Sequence, residues 1–404
     1  MKRGANCRWR CLEGNAKAAC VVGVLICCFV VCGCKTVKQP DLGEPLAELT
    51  PGQKAQFREG KAVFQREFTP ETGLGPLFNS VSCAECHEHP LVGGSCDEIE
   101  VHATRFVRPN SCDPLFDQGG PVIQQDATPL LRAIGVLKEQ VPSRATAQGR
   151  RSTPPLFGFG LVDAIPEKTL LSHEDPYDRD LNGISGHANR AIDGRVGRFG
   201  RKAAVATLFD FNAGAFPQEQ GVTTPLSPVE ETINGTPVPA GTDPAPDPEI
   251  KRAVIDKVTH FTRFLAPPPR VAFTNYHDRY LARRGEKLFS ALNCCGCHVP
   301  KMKTGPNEIR ALDRKTVYLY SDLLVHDMGP VLADICLGQA HPSEFRTEML
   351  MGLRFREHFL HDGSAPTVQE AIERHGGEAQ PARDKFKALN RTDKEALLKF
   401  LDSI

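Results

Sequence analysis

Two short stretches of the 404-residue chain decide its fold class: Cys83-Ala-Glu-Cys86-His87 and Cys294-Cys-Gly-Cys297-His298. Each reads C-x-x-C-H, and the two lie in opposite halves of the chain. Two thiols at this spacing can add to the two vinyl groups at one edge of a haem, and the next residue then offers an imidazole to the iron. Zinc half-sites and redox disulfides also use C-x-x-C, but they do not require the His, and zinc needs a second pair close by. The motifs therefore predict two covalently bound haems c, with His87 and His298 as proximal iron ligands.

The sixth ligand of each iron decides what such a haem does. A second His or Met closes the iron and favours electron transfer, whereas an open position can bind peroxide or oxygen. Spacing alone does not choose among the remaining His and Met side chains. The candidates in the first half are His89, His102, His173 and His187, and those in the second half are Met302, Met328, His326, His361 and His375.

The residues before each motif repeat one pattern. Both segments read as amphipathic helices in which a Gly is followed four positions later by a Phe on the same face, Gly60 with Phe64 and Gly285 with Phe289. A small residue beside an aromatic one suits the close crossing of two helices. We therefore expect each of these helices to pack against a second helix.

A second helical pattern closes each half. Apolar residues recur at helical spacing over 254–265 until the proline run 267–269 stops the helix. Near the end of the chain, the stretch 392–395 reads as a capping box that opens a last helix with an apolar face. The order helix, C-x-x-C-H, loops and final helix is the layout of a cytochrome c domain.

These patterns predict a mainly α fold of two cytochrome c-like domains with long irregular loops. The first domain is expected over 45–266 and the second over 271–404. A Pro- and Thr-rich excursion at 215–248 reads as an irregular surface loop, and extended strands are expected to be scarce.

The first 34 residues read as an export signal. Basic residues precede an uncharged apolar run at 18–34, which is short for a membrane-spanning helix and long for the apolar part of a signal peptide. The run ends in Val31-Cys-Gly-Cys34, which resembles a bacterial lipobox, so Cys34 is expected to be the lipidated first residue of a mature lipoprotein. An uncleaved signal anchor is the alternative. Either reading places the rest of the chain on the periplasmic or cell-surface side, tethered to the membrane.

Charge and the remaining cysteines add little about partners. Lys plus Arg and Asp plus Glu both number 49, and without a basic cluster we expect no nucleic-acid binding. Cys96 and Cys112 enclose a short loop and are either a disulfide, which an oxidising compartment would allow, or two free buried thiols. The sequence assigns no role to Cys295 or Cys336.

The stretch Asp178-Arg-Asp180-Leu-Asn182-Gly183 has the spacing of a cation-binding loop. Short oxygen-bearing side chains at alternate positions, followed by a Gly that permits a sharp turn, can wrap a calcium ion. An EF-hand would continue to a Glu at its twelfth position, which here is Asn189. The sequence leaves open a solitary calcium loop or a solvated acidic turn.

Four further segments carry a family resemblance: 151–166, 197–203, 320–330 and 359–379. Together with the two C-x-x-C-H motifs they resemble bacterial di-haem c-type oxidoreductases, described as peroxidases and sometimes labelled thiol oxidoreductases. That family is distantly related to di-haem cytochrome c peroxidases and to the maturase that makes a tryptophan-derived quinone. The resemblance covers roughly residues 50–404.

The resemblance implies that the two haems have different roles. The C-terminal haem would take electrons from a small periplasmic donor, and the N-terminal haem would reduce peroxide or another small oxidant. It also implies a distal carboxylate that moves a proton, Asp163 or Glu167, and it places His375 where the peroxidases carry the distal ligand of the C-terminal haem. A purely electron-transferring cytochrome, or an enzyme that oxidises a partner protein, are the alternatives. Because haem consumes both C-x-x-C pairs, we do not expect thiol chemistry.

Overall fold

In a computed structural model, residues 39–107 and 111–404 are described. The export signal predicted for residues 1–34, including the lipidation of Cys34, lies outside them. Among the described residues, no helix is both long and apolar enough to cross a membrane.

Helices and short strands alternate with long irregular segments. Helices account for 32% of the structure, an ordinary content for a globular protein, so the mainly α class stays a prediction. Residues 40–404 form one compact unit. The division into separate domains at 45–266 and 271–404 stays a prediction. The helices are α1 Pro51–Phe64, α2 Cys83–Cys86, α3 Pro129–Ala133, α4 Phe159–Asp163, α5 Glu167–Leu171, α6 Leu208–Gln220, α7 Arg252–Phe264, α8 Tyr276–Ala291, α9 Val368–Glu373, α10 Gln380–Lys387 and α11 Arg391–Asp402.

Two helix crossings organise the chain, α1 with α7 and α8 with α11. At each crossing the predicted Gly faces the backbone of the partner helix: a methyl group on Gly60 would overlap the carbonyl oxygen of Lys257, and one on Gly285 would overlap that of Ala396. The predicted aromatic residues pack beside them, with the ring centroids of Phe64 and Phe261 4.9 Å apart. Each half thus brings its first and last helix together, as the sequence pattern predicts.

Replacing Gly285 by Ala is expected to lower the free energy of unfolding by about 1–3 kcal/mol, the usual cost of overpacking a filled interior. The added methyl group has no space at the α8–α11 crossing because backbone, which cannot rotate away, lies in its path. Gly214 is the matched control, since it also lies within a helix but has nothing within 4 Å of the position of an added methyl group. Chemical denaturation of both variants checks this, and equal stability of the two would contradict the crossing.

The capping box predicted at 392–395 is wrong by two residues. Helix α11 begins at Arg391, and the side chain of Asn390 accepts the hydrogen bond from the backbone N–H of Asp393. Asn caps a helix as well as Thr does, and Thr392 lies inside the first turn. The predicted loop at 215–248 is irregular only after Gln220, because α6 extends to that residue.

The structure contains a four-stranded sheet, which the sequence analysis does not predict. Its long central strand, β2, pairs antiparallel with β6 along one edge and with β3 and β4 along the other. The strands of the whole structure are β1 Leu77–Phe78, β2 Ile99–Val107, β3 Ser111–Asp113, β4 Val122–Ile123, β5 Asp126–Ala127, β6 Ala147–Ser152, β7 Met302–Lys303, β8 Thr316–Val317, β9 Val325–Asp327 and β10 Glu344–Arg346.

A disulfide joins Cys112 on β3 to Cys336 in the second half, with their Cα atoms 5.8 Å apart. Both alternatives are therefore wrong for Cys112, which neither pairs with Cys96 nor remains a thiol. Cys96 is a buried thiol, as the second alternative expects, and its Sγ contacts the hydroxyl of Thr153 at 3.3 Å. The prediction relied on the short separation of Cys96 and Cys112 in the sequence. Strand β2 lies between them and carries Cys112 away from Cys96 and towards the second half. A cross-link over this length of chain removes much of the freedom of the unfolded chain.

Candidate haem sites

The first C-x-x-C-H motif is held by a single helical turn. The side chain of Ser82 caps α2 by accepting from the backbone N–H of Glu85 at 3.2 Å, which presents both thiols beside the His that follows. His87 Nδ1 lies 2.9 Å from the carbonyl oxygen of Gly94. A ring whose Nδ1–H donates to a carbonyl has its Nε2 left as the ligand atom. The ring of Phe64, from the α1–α7 crossing, lies 5.8 Å from the His87 ring.

The second motif repeats this arrangement with different neighbours. His298 Nδ1 lies 3.0 Å from the carbonyl oxygen of Tyr320, so its Nε2 is again the free ligand atom. Phe289, from the α8–α11 crossing, places its ring 6.3 Å from His298 and 5.4 Å from Phe400. Burial lowers the pKa of His298 to about 4. Both histidines are thus kept as neutral imidazoles, the form that binds iron.

A cavity of about 270 Å³ lies beside the second motif. Cys294, Cys297 and His298 line it, and so does His375, which follows helix α9. The remaining lining is largely aliphatic and aromatic, as a porphyrin face requires, and includes Phe289, Leu350, Leu353, Ile372, Phe386, Leu397 and Leu401. The residues present therefore fit a haem bound through the two thiols.

His375 is oriented in the same way as the proximal histidines. Its Nδ1 lies 2.7 Å from the carbonyl oxygen of Ala371, which leaves Nε2 as the free nitrogen, and burial lowers its pKa. It lies close enough to His298 for its charge to affect the pKa of that residue. The structure thus brings together the proximal and the predicted distal His of the second haem; ligation by His375 stays a prediction. Met328 lines the same cavity.

The His87 ring lies beside an aromatic ring and backbone groups. Besides Phe64 and the Gly94 carbonyl, the backbone of Pro154 lies near enough to favour a higher pKa, although burial lowers the pKa of His87 overall. Pro154 belongs to the segment 151–166 that carries part of the family resemblance. The structure therefore places that segment against the first haem motif.

A match to a family covers the second half of the chain and part of the first half. The sequence profile described as "Di-haem oxidoreductase, putative peroxidase" matches residues 134–404. The chain belongs to this family. No curated protein is significantly similar to the di-haem oxidoreductase in sequence.

Solved structures align with most of this di-haem oxidoreductase at low identity. Hydrazine synthase from Kuenenia stuttgartiensis is 13% identical over 97% of this chain and 100% of its own, with a TM-score of 0.40. A MauG-like protein associated with microbial copper homeostasis is 16% identical over 90% and 92%, with a TM-score of 0.36. The diheme peroxidase BthA from Burkholderia thailandensis is 15% identical over 91% and 89%, with a TM-score of 0.39. These scores are too low to carry an argument about activity.

The two carboxylates that the resemblance assigns to proton transfer both accept hydrogen bonds from backbone N–H groups. Asp163, at the end of α4, accepts from the backbone N–H of Leu208 at 3.0 Å and lies 3.7 Å from the guanidinium of Arg263. Glu167, at the start of α5, accepts from the backbone N–H of Val196 at 3.3 Å. Both therefore anchor neighbouring segments of the di-haem oxidoreductase, and their role in proton transfer stays a prediction.

Sequence reasoning missed two half-buried carboxylates beside the first motif, Glu100 and Glu219. Although burial disfavours its charge, hydrogen bonding from His102 and the charge of His87 lower the pKa of Glu100. Burial, together with the charge of Glu100, raises the pKa of Glu219 well above its usual range. Glu219 is also close enough to raise the pKa of Cys83 and Cys86. Glu100 lies on strand β2, which the sequence analysis did not predict.

The residues of the predicted calcium loop hydrogen-bond to one another. Asp178 and Asp180 each offer an oxygen within 4.8 Å of one from Asp175. Asn182 instead directs its amide nitrogen to Asp180 at 2.9 Å, and its backbone N–H donates to Asp178 at 2.8 Å. The carboxylates are grouped as a cation would need, but Asp175 takes the place expected for Asn182. Calcium binding here stays a prediction.

His326, a candidate ligand, is held between two carboxylates instead. Its Nε2 lies 2.9 Å from Asp322, and its Nδ1 lies 2.9 Å from Glu378. Burial opposes a charge here, yet the neighbouring Cys297 and Asp322 raise the pKa of His326 well above its usual range. When haem occupies Cys297, the two carboxylates still favour the imidazolium. With both nitrogens engaged, His326 has no free atom for iron.

Loss of the Glu378 charge is expected to destabilise the protein. Burial disfavours that charge, but the hydrogen bonds from His326 and Ser185 lower the pKa of Glu378 from an ordinary 4.5 to about 2. A depressed carboxyl pKa stabilises the fold above the unfolded value, and this stabilisation, on the order of 3 kcal/mol, is lost as pH falls from about 4.5 to about 2. Glu378→Gln should therefore be less stable at pH 7, and its stability should fall less between those pH values.

Chemical denaturation at pH 7, 4.5 and 3 measures this difference. Glu308→Gln, at an exposed carboxylate, is the control and should follow the wild type at every pH. A Glu378→Gln protein with the wild-type pH profile would show that the contact with His326 contributes nothing.

Proposed function

We propose that this di-haem oxidoreductase binds both haems covalently and reduces peroxide with electrons from a small periplasmic donor. The observation that supports this most is the difference between the two sites. A second His, the half-buried His375, lies in the cavity of the second motif. The groups found beside His87 in the described part of the chain are instead the Phe64 ring, the Gly94 carbonyl and the carboxylate of Glu100. A closed iron suits electron transfer, and an open one suits a small oxidant.

The haems supply the redox chemistry, in which peroxide takes up two electrons and two protons to give two waters. The chain itself positions the irons through His87 and His298 and provides the proton. Asp163 and Glu167 are the carboxylates that the family resemblance assigns to proton transfer.

The experiment uses ferric protein made with c-type maturation machinery. Its visible spectrum should contain one high-spin and one low-spin haem, and peroxide should re-oxidise the fully reduced protein. Two low-spin haems and no reaction with peroxide would contradict the proposal and favour a purely electron-transferring cytochrome. Asp163→Asn and Glu167→Gln, compared under the same conditions, identify the proton donor as the variant whose reaction with peroxide slows while its ferric spectrum is unchanged.

We propose further that the protein acts outside the cytoplasm, held at the membrane by a lipid on Cys34. The basic start, the apolar run and the Cys at its end support this placement. An exported site is also consistent with the disulfide between Cys112 and Cys336, because disulfides persist in oxidising compartments.

A further inference from the structure

Three arginines converge on one carboxylate at the edge of the second haem cavity. The guanidinium nitrogens of Arg201, Arg346 and Arg356 lie 2.7, 3.0 and 2.9 Å from the oxygens of Glu348. All four side chains line the cavity that holds Cys294, Cys297, His298 and His375. We call them the arginine cluster.

The arginine cluster is buried and carries a net charge of about plus two. The side chains of Arg201 and Arg356 are 10% exposed and that of Arg346 is 3% exposed. Burial would favour neutral Glu348, but the three guanidinium groups hold its pKa far below the usual range, so the carboxylate is charged. Three positive charges against one negative charge leave a surplus that the cluster itself does not balance.

The cluster also retains hydrogen-bonding capacity. Nε of Arg201 and Nε of Arg356 are buried without a hydrogen-bond partner in the described part of the chain, and so is Oγ1 of Thr347. Thr347 lines the same cavity. Buried guanidinium groups rarely stay unpaired, because desolvation costs more than a single shared carboxylate returns. We therefore expect the cavity to bind an anion that accepts hydrogen bonds from these donors.

A haem carries two carboxylates, its propionates, on the edge remote from the vinyl groups that react with the two thiols. Two propionates supply the two negative charges that the cluster lacks, and Arg binds carboxylates through two parallel hydrogen bonds. We propose that Arg201 and Arg356, steadied by Arg346 and Glu348, bind the propionates of the second haem and raise its reduction potential. This inference rests on the proposed attachment of haem to Cys294 and Cys297.

The effect on the potential follows from charge. Reduction adds one negative charge to the haem, and nearby cations stabilise the reduced form more than the oxidised one. Arg201 and Arg356 also line a small cavity with Cys96 and Thr153, and Cys96 contacts Cys86 of the first motif. The cluster thus lies between the two motifs, and a raised potential of the second haem would favour electron transfer to it from the donor.

The test is a spectroelectrochemical titration of the holoprotein, after haem content has been measured. Arg201→Gln and Arg356→Gln should each lower the midpoint potential of the second haem by about 59 mV, a tenfold drop in the ratio of reduced to oxidised haem at a fixed potential. The first haem should shift less. Arg391→Gln, at an exposed position, is the control and should shift neither.

Two further measurements keep the proposal open to refutation if the Gln variants do not fold. Arg201→Lys and Arg356→Lys keep the charge but lose the paired hydrogen bonds, so the propionate bending bands in resonance Raman spectra should move while the potential changes less than tenfold. Sulfate added to the wild type should shift neither haem. Unchanged bands and potentials in folded variants that retain both haems would overturn the proposal, and so would a sulfate-dependent shift that these variants abolish. Absence of the second haem from the wild type would instead refute the proposed function.

Discussion

Protein with Ala at both Cys294 and Cys297 is expected to keep one haem through acid–acetone extraction, whereas the wild type keeps two. Thioether bonds survive extraction and iron–imidazole bonds do not. His298 and His375 remain in the variant, so haem can still enter the cavity, but nothing retains it there once the protein is denatured. Ala at Cys83 and Cys86 should remove the other haem.

The control for this loss lies within the motif itself. Cys295, between the two attachment residues, is buried in the core around Phe289, and the C-x-x-C-H spacing gives it no part in attachment. Cys295→Ala should therefore retain both haems in a pyridine haemochrome assay. Loss of a haem from Cys295→Ala, or two haems in the Cys294/Cys297 variant, would show that the motif has been read wrongly.

Replacing His375 by Gly is expected to convert the second haem from low spin to high spin and to leave the first unchanged. The free Nε2 of His375 is the ligand atom in this account, because its Nδ1 hydrogen-bonds to the Ala371 carbonyl. His375→Met should restore low spin and raise the potential of that haem, because a thioether donates less strongly to ferric iron than an imidazole does. Ferric spectra and redox titrations of the two variants measure these changes.

The alternative ligand is Met328, which lines the same cavity. Met328→Leu keeps an apolar side chain of similar size and should leave both haems as in the wild type. His277→Ala, at an exposed His, controls for the general loss of an imidazole. If His375→Gly keeps its low-spin haem while Met328→Leu loses it, the ligand is Met328.

Much of the scaffold could be predicted from sequence because its signals are local. A Gly four residues before a Phe marks a close helix crossing in both halves, and the structure places backbone against both glycines. The motifs fix which residues would hold haem by their spacing alone. Even so, the capping box at 392–395 was misplaced, since Asn390 and Thr392 are both acceptable caps.

The rest depends on contacts between distant parts of the chain. Strand β2 alternates apolar and polar residues over 99–104, as a half-buried strand does. Its partners β4 and β6 lie further along the chain, so the sheet they form is not marked by any single local segment. The disulfide joins residues 224 positions apart, a separation from which no pairing can be read. The arginine cluster likewise gathers Arg201 from the first half and Glu348 from the second.

Peptide mass spectrometry of the wild type, made with c-type maturation machinery and digested after denaturation, tests the central claim most directly. The account predicts two modified peptides, one containing Cys83 and Cys86 and the other Cys294 and Cys297, each heavier by one haem. Unmodified cysteines in either peptide would contradict the account, and unmodified cysteines in both would remove it.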